Sequence, residues 1–104
     1  MELDALKKKL RPLFQEYKIE KAILFGSLAR NETGRHSDLD LILVQETSLR
    51  FLDRYDGLLA SFSQALTEWD VDILIYTPDE LAAISGRRFI QQALEEGKVL
   101  YESE

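Results

Sequence analysis

Apolar side chains recur along the chain at two different spacings, and each spacing predicts one type of element. Near the start they lie three or four residues apart, which is typical of an amphipathic helix. Pro12 lies inside this helix and should kink or split it. Residues 21–25, 38–45 and 71–76 are short runs rich in apolar residues, so we expect each of them to be a strand.

Further helices are predicted between and after these strands. A helix over 48–66 would begin at a serine, a residue type that caps helices well. Thr77 and Pro78 indicate the start of another helix, because threonine is a good N-cap and proline suits the first turn. A last helix over 87–96 and a short strand at 99–101 would follow. This order predicts an α/β or α+β fold, with a small mixed sheet flanked by helices.

Length and composition limit the class of protein. A chain of 104 residues with 45% apolar content is the size of one domain, so we expect residues 1–104 to form a single unit. No apolar run reaches the roughly 18 residues of a membrane span, and the start lacks a signal-peptide pattern. The absence of cysteine is consistent with a reducing compartment, and we expect a cytoplasmic protein.

The chain is acidic, with a formal net charge of -6. This charge argues against direct binding of a nucleic-acid backbone, because that backbone is itself negative. It suits a basic protein partner, although the same charge is equally expected from solubility alone.

Two carboxylates in the second strand indicate a metal site. Asp38 and Asp40 are two positions apart, so in a strand they share one face. Carboxylates among apolar residues must be paired, hydrogen-bonded or bound to a cation, and Mg²⁺ prefers oxygen ligands. Gly26-Ser27 follows the first strand and predicts a turn that can hold phosphate. Together these features suggest chemistry on a nucleoside triphosphate.

The third strand offers a further carboxylate. Asp70 and Asp72 also share a face, and Asp72 would lie beside Asp40 if the second and third strands are neighbours. We favour Asp72 because it lies deeper in the apolar run, whereas Asp70 reads as a residue at the strand start. The alternative to a metal site is that Asp38 and Asp40 lie on the solvent-exposed face of an edge strand. The glycine–serine turn at a fixed distance favours the site, because such a pattern arises by chance in roughly one chain of this length in a thousand.

Gly26-Ser27, ten residues, and then Asp38-x-Asp40 resemble the signature of the DNA polymerase β-like nucleotidyltransferase superfamily. Within it, the chain resembles the minimal nucleotidyltransferases, the MNT family. Four segments carry the resemblance: Phe25-Gly26-Ser27-Leu28-Ala29-Arg30, Ser37-Asp38-Leu39-Asp40-Leu41, Val71-Asp72-Ile73, and the ending from Ala93 to Glu102. Asn31, where many members carry glycine, is a departure that affects only the local turn.

The resemblance implies a role for each matching residue. Asp38 and Asp40 would hold two Mg²⁺ ions that bridge the triphosphate. Asp72 would complete the second metal site and orient or deprotonate the attacking hydroxyl. Ser27 would bind the β- or γ-phosphate of ATP, while Gly26 lets the backbone come close. For Arg30, neutralising phosphate charge and fixing the loop through a salt bridge are equal alternatives.

The resemblance also implies a partner. About 30 residues follow the third strand, too few for the helical acceptor domain of larger relatives. Minimal nucleotidyltransferases are commonly paired with a HEPN ribonuclease in a toxin–antitoxin system. The chain would then be an antitoxin that transfers AMP from ATP to a tyrosine of the toxin, within a hetero-oligomer. Two alternatives stay open: an antitoxin that only covers the toxin, and an adenylyltransferase that acts on a small molecule.

Overall fold

The computed structural model describes residues 3–26, 29 and 38–103, and within them four strands form one mixed sheet. The strands are β1 (Lys21–Phe25), β2 (Asp38–Val44), β3 (Asp70–Tyr76) and β4 (Lys98–Glu102). Their order in the sheet is β3-β2-β1-β4. β1 is antiparallel to both of its neighbours, whereas β2 and β3 are parallel. The small mixed sheet predicted from the sequence is confirmed.

Helices flank the sheet and connect its strands. They are α1 (Leu3–Glu16), α2 (Leu58–Ala65), α3 (Pro78–Ile84) and α4 (Arg88–Glu96), and a 3₁₀ turn at Leu52–Tyr55 precedes α2. Parallel strands need a crossover connection, and the 3₁₀ turn and α2 supply it between β2 and β3. Across the described part of the chain, every helix is too short or too polar to cross a bilayer.

Pro12 does not split the first helix, because α1 continues through this residue. Pro12 lies on the exposed side of the helix, where a missing backbone donor costs least. Leu6, Leu10 and Phe14 are buried on both sides of it and pack into the main core. This packing supports the helix on both sides of Pro12.

The single helix predicted over 48–66 is also wrong, because the segment divides at Gly57. Gly57 has φ 75°, a left-handed conformation that ends the 3₁₀ turn and begins α2. Tyr55, just before it, turns toward the open edge of β3 instead of continuing a helix. Its hydroxyl donates to the carbonyl of Ile73 (2.8 Å) and accepts from the backbone N–H of Ile75 (3.2 Å). The break therefore lets the Tyr55 hydroxyl form hydrogen bonds with backbone groups of β3, the strand at the edge of the sheet.

The helix start predicted at Thr77 and Pro78 is confirmed. The Thr77 hydroxyl accepts from the backbone N–H of Glu80 (3.2 Å), and the Glu80 carboxylate accepts from the backbone N–H of Thr77 (2.9 Å). This reciprocal capping box fixes the beginning of α3 directly after β3.

The sheet has two faces with different cover. The first, which we call the closed face, carries Leu39, Leu41 and Leu43 of β2, all fully buried in the main core with residues of α1 and α2. The second, which we call the open face, carries the alternate residues of the same strands. A smaller cluster on this face includes Ile42 of β2 and Ala93 of α4. Part of the open face therefore stays accessible.

Candidate active site

The parallel register of β2 and β3 brings the candidate carboxylates together. Asp38 is paired with Asp70, and Asp40 is paired with Asp72. Because side chains alternate along a strand, all four belong to the open face of the sheet. The expectation that Asp72 lies beside Asp40 if their strands are neighbours is therefore met.

Gly26 lies against the carboxylate of Asp40. Phe25, the last residue of β1, is paired with Asp40, so the chain turns at Gly26 directly beside that side chain. Gly26 has φ 77°, and a Cβ at this position would collide with Oδ2 of Asp40. Both the conformation and the space demand glycine. The turn therefore brings bare backbone next to a carboxylate.

A cleft of about 540 Å³ opens at this point, a volume typical of small-molecule sites. Asp40, Asp72 and Gly26 contribute to its lining, together with Phe25 and with residues of β3 and α4. The residues from these two elements are Ile73, Leu74, Phe89, Gln92, Ala93 and Glu96. The cleft thus joins three acidic side chains, Asp40, Asp72 and Glu96, to a partly apolar wall.

The burial expected for Asp72 is not observed. Asp72 is exposed, as are Asp38 and Asp70, whereas Asp40 is half-buried. Position, rather than burial, distinguishes these four aspartates, because Asp40 and Asp72 line the cleft and the other two do not. Asp38 lies two residues before Asp40 on the same face, at the start of β2. Asp70 is the first residue of β3, as predicted from the sequence.

Two predicted site residues, Ser27 and Arg30, lie outside the described residues. Of the other predicted site residues, Asp40, Asp72 and Gly26 line one cleft. Asp38 lies two residues before Asp40, on the same face of β2.

The described residues fit a magnesium ion that is shared with a substrate. Among residues 3–26, 29 and 38–103, no group of three acidic, histidine or cysteine side chains could hold a metal alone. Mg²⁺ usually takes one or two protein carboxylates and completes its shell with phosphate oxygens and water. Asp40 and Asp72, neighbours at an open cleft, match that incomplete donor set.

A buried arginine supports the strand that carries Asp72. Arg54 donates two hydrogen bonds to the carboxylate of Glu80 (2.6 and 3.0 Å) and one to the carbonyl of Ile75 (3.3 Å). The hydrogen bond to Glu80 raises the pKa of Arg54, and the Arg54 guanidinium lowers the pKa of Glu80 to about 2. Burial raises the pKa of the neighbouring Tyr55 phenol. These contacts join the 3₁₀ turn, the edge of β3 and the start of α3.

The residues of α4 that line the cleft were not predicted from the sequence. Phe89, Gln92 and Glu96 lie at spacings of three and four residues, so they occupy one side of the helix. That spacing was visible in the sequence, but it does not reveal which part of the protein the helix faces.

Similar proteins identify the family of this chain. Residues 8–104 match the sequence profile of the family described as Polymerase beta, Nucleotidyltransferase. A relative from Haemophilus influenzae, named as a protein adenylyltransferase, MntA, is 37% identical over 73 residues, which cover 70% of this chain and 60% of that protein. The chain thus matches less than two thirds of that relative's length.

Two further proteins extend the comparison. A relative from Methanocaldococcus jannaschii, also named as a protein adenylyltransferase, is 35% identical over 76 residues, covering 73% of this chain and 80% of the relative. A crystal structure described as a toxin–antitoxin with AMP-PNP has a chain that is 25% identical, with a TM-score of 0.70. The match covers 94% of this chain and 74% of that one. On its fold, its carboxylate cleft and its sequence, this chain belongs to the polymerase β nucleotidyltransferase family.

Proposed function

We propose that this chain is a protein adenylyltransferase that transfers AMP from ATP to a tyrosine hydroxyl of a HEPN ribonuclease toxin. In this role it would act as the antitoxin of a toxin–antitoxin pair, within a hetero-oligomer. The relatives named as protein adenylyltransferases and the similar toxin–antitoxin structure with AMP-PNP support the proposal. The phosphate added to the toxin would repel RNA by its negative charge.

The pairing of Asp40 with Asp72, beside Gly26 at the cleft, is the observation that carries this proposal. Paired carboxylates that are open to solvent on one side suit a reaction in which a substrate supplies the remaining metal ligands. We propose that residues 1–104 act as one domain in this role.

In the proposed reaction, the tyrosine oxygen attacks the α-phosphorus of ATP. A new phosphorus–oxygen bond forms, and the bond to the pyrophosphate leaving group breaks. Asp72 orients the attacking hydroxyl and accepts its proton, since it is an exposed carboxylate at the cleft. Gly26 allows the triphosphate to approach the backbone.

The remaining roles concern charge. Asp38, Asp40 and Asp72 would hold two Mg²⁺ ions, which when bound supply positive charge at the attacking and leaving oxygens. Ser27 would donate a hydrogen bond to the β- or γ-phosphate, and Arg30 would offset phosphate charge. Exact positioning of the hydroxyl supplies much of the remaining rate.

Mass spectrometry tests the proposal directly. The chain is incubated with Mg²⁺, labelled ATP and a candidate HEPN partner, and the mass of the partner is then measured. We expect a gain of one or more AMP units that requires Mg²⁺ and is lost with a chelator. Mutation of the acceptor tyrosine to phenylalanine should remove the gain, whereas mutation of an exposed tyrosine elsewhere on the partner should not.

The same experiment separates the competing functions. No added nucleotide mass, with toxin silencing that survives Asp38→Ala and Asp40→Ala, would contradict transfer and indicate inhibition by covering. Transfer to a small molecule such as an aminoglycoside, with none to the protein, would indicate the third function.

A further inference from the structure

One side of α4 forms the wall of the cleft beside Asp40 and Asp72, which we call the acidic pair. Phe89, Gln92, Ala93 and Glu96 all line the cleft, and their spacing places them along a single stripe. Ala93 is buried and packs in one cluster with Phe25 and other residues of the open face. The stripe is therefore fixed to the sheet and does not depend on a flexible loop.

Phe89 offers an aromatic surface at this wall. The residue is 58% exposed although its side chain is entirely apolar. Its ring meets Phe25 edge-to-face, with centroids 5.8 Å apart and an interplanar angle of 89°. Phe25 is paired with Asp40, so the aromatic contact lies directly beside the carboxylate end of the cleft. More than half of Phe89 is left open to a planar ligand.

Gln92 offers polar atoms next to this ring, in an orientation that Glu96 sets. Nε2 of Gln92 donates to Oε1 of Glu96 (3.3 Å). An ionised carboxylate only accepts hydrogen bonds, so the amide nitrogen must be the atom that faces it. The carbonyl oxygen of Gln92 and its second N–H take no part in this contact, so they can serve a ligand as an acceptor and a donor.

We propose that this wall is a nucleobase subsite, in which Phe89 stacks on the base and Gln92 selects adenine over guanine. The inference rests on the proposed function, because it places the base of the nucleotide whose phosphates lie at the acidic pair. The polar edge of adenine has an amino donor beside a ring acceptor, and guanine has the reverse order. In the proposed pairing, the carbonyl oxygen of Gln92 accepts from the amino group of adenine and its free N–H donates to the ring acceptor. Guanine would meet these two atoms in the reverse order unless the base turned over.

Calorimetric binding in the presence of Mg²⁺ tests this subsite with three probes. AMP-PNP carries adenine, its guanosine counterpart GMP-PNP carries guanine, and inorganic tripolyphosphate carries no base. The wild-type chain is compared with Phe89→Ala, Phe89→Tyr and Gln92→Leu. Leu52→Ala is the matched control, because Leu52 is an apolar residue 79% exposed that does not line the cleft.

We expect Phe89→Ala to weaken AMP-PNP binding by about 5- to 20-fold and to leave tripolyphosphate binding unchanged. Phe89→Tyr keeps a ring and should bind AMP-PNP as the wild type does. Gln92→Leu should reduce the preference for AMP-PNP over GMP-PNP by about 2- to 10-fold, the value of one hydrogen bond. Leu52→Ala should change nothing. Melting followed by the fluorescence of Trp69 verifies that each variant is folded.

Three results separate this inference from the proposed function. Equal wild-type affinity for AMP-PNP and tripolyphosphate overturns the subsite, even if AMP is transferred to the partner. Unchanged AMP-PNP binding by Phe89→Ala with slower transfer also overturns it, and indicates that the ring contacts the protein acceptor. The expected binding pattern with no AMP on any protein supports the subsite and contradicts the proposed function.

Discussion

The two faces of the sheet are built from the same strands but differ in what surrounds them. On the closed face, Leu39, Leu41 and Leu43 are fully buried against α1 and α2. On the open face, Asp40 and Asp72 occupy intervening positions and line a cleft. Alternation thus separates a dry core from a polar site by one residue. Substitutions at adjacent positions should therefore affect stability and chemistry separately.

The largest expected effect is on the open face. Asp40→Asn keeps the shape of the side chain but removes a charge from the acidic pair. We expect the rate of AMP transfer to fall by roughly a thousandfold, because metal stabilisation of the reacting oxygens is worth several kcal/mol. The free energy of unfolding should change little. A variant that loses stability and activity together would contradict the separation of the two faces.

The closed face should respond in the opposite way. Leu41→Ala leaves a cavity in the core and should lower the free energy of unfolding by about 2–5 kcal/mol, measured by urea denaturation. Leu41→Met conserves volume and should cost less than about 1.5 kcal/mol. For both variants we expect the transfer rate per folded molecule to match the wild type. A strong loss of that rate in Leu41→Met would mean that the core also sets the site geometry.

Substitution at Gly26, the turn after β1, should have a smaller effect on both stability and the transfer rate. Gly26→Ala introduces a Cβ that collides with Oδ2 of Asp40 and places alanine in a left-handed conformation, which costs about 1–2 kcal/mol. We expect a moderate loss of stability together with slower transfer. Gly86→Ala is the matched control, since a Cβ there meets no atom within 4 Å. Equal behaviour of the two variants would show that Gly26 is not needed for space.

The smallest effect concerns the Arg54–Glu80 pair and depends on pH. Hydrogen bonding from Arg54 lowers the pKa of Glu80 from its ordinary value of 4.5 to about 2. A carboxyl with a lowered folded pKa stabilises the protein above its unfolded pKa, and this contribution is lost as the pH falls from 4.5 to 2. The melting temperature of Glu80→Gln should therefore fall less steeply over that range than the wild-type value. Asp79→Asn is the control, and parallel curves for Glu80→Gln and wild type would contradict the pair's role.

Regular patterns were predictable from the sequence where local spacing decides the structure. The strands, the capping box at Thr77 and the sharing of faces by alternate residues all follow from local rules. The helix predicted over 48–66 was wrong because a contact distant in sequence, between Tyr55 and β3, competes with local helical preference. Pro12 was tolerated because of packing that the local pattern does not contain.

The candidate site was predictable to a different degree. Spacing and resemblance indicated Asp38, Asp40 and Asp72, and register accounts for the pairing of the last two. The reason given for Asp72 was wrong, because the cleft leaves this residue exposed. Phe89 was missed because its importance depends on how α4 lies over the sheet, which is a property of tertiary packing.

The strand order has a consequence for how the protein reaches its folded state. β1 lies inside the sheet, yet one of its two partners is β4, roughly eighty residues further along the chain, and such distant pairing forms slowly. During synthesis β1 therefore stays an edge strand until β4 has left the ribosome. Gly26 follows β1, and α4 directly precedes β4. The cleft, which lies between these elements, should accordingly be among the last parts of this fold to form.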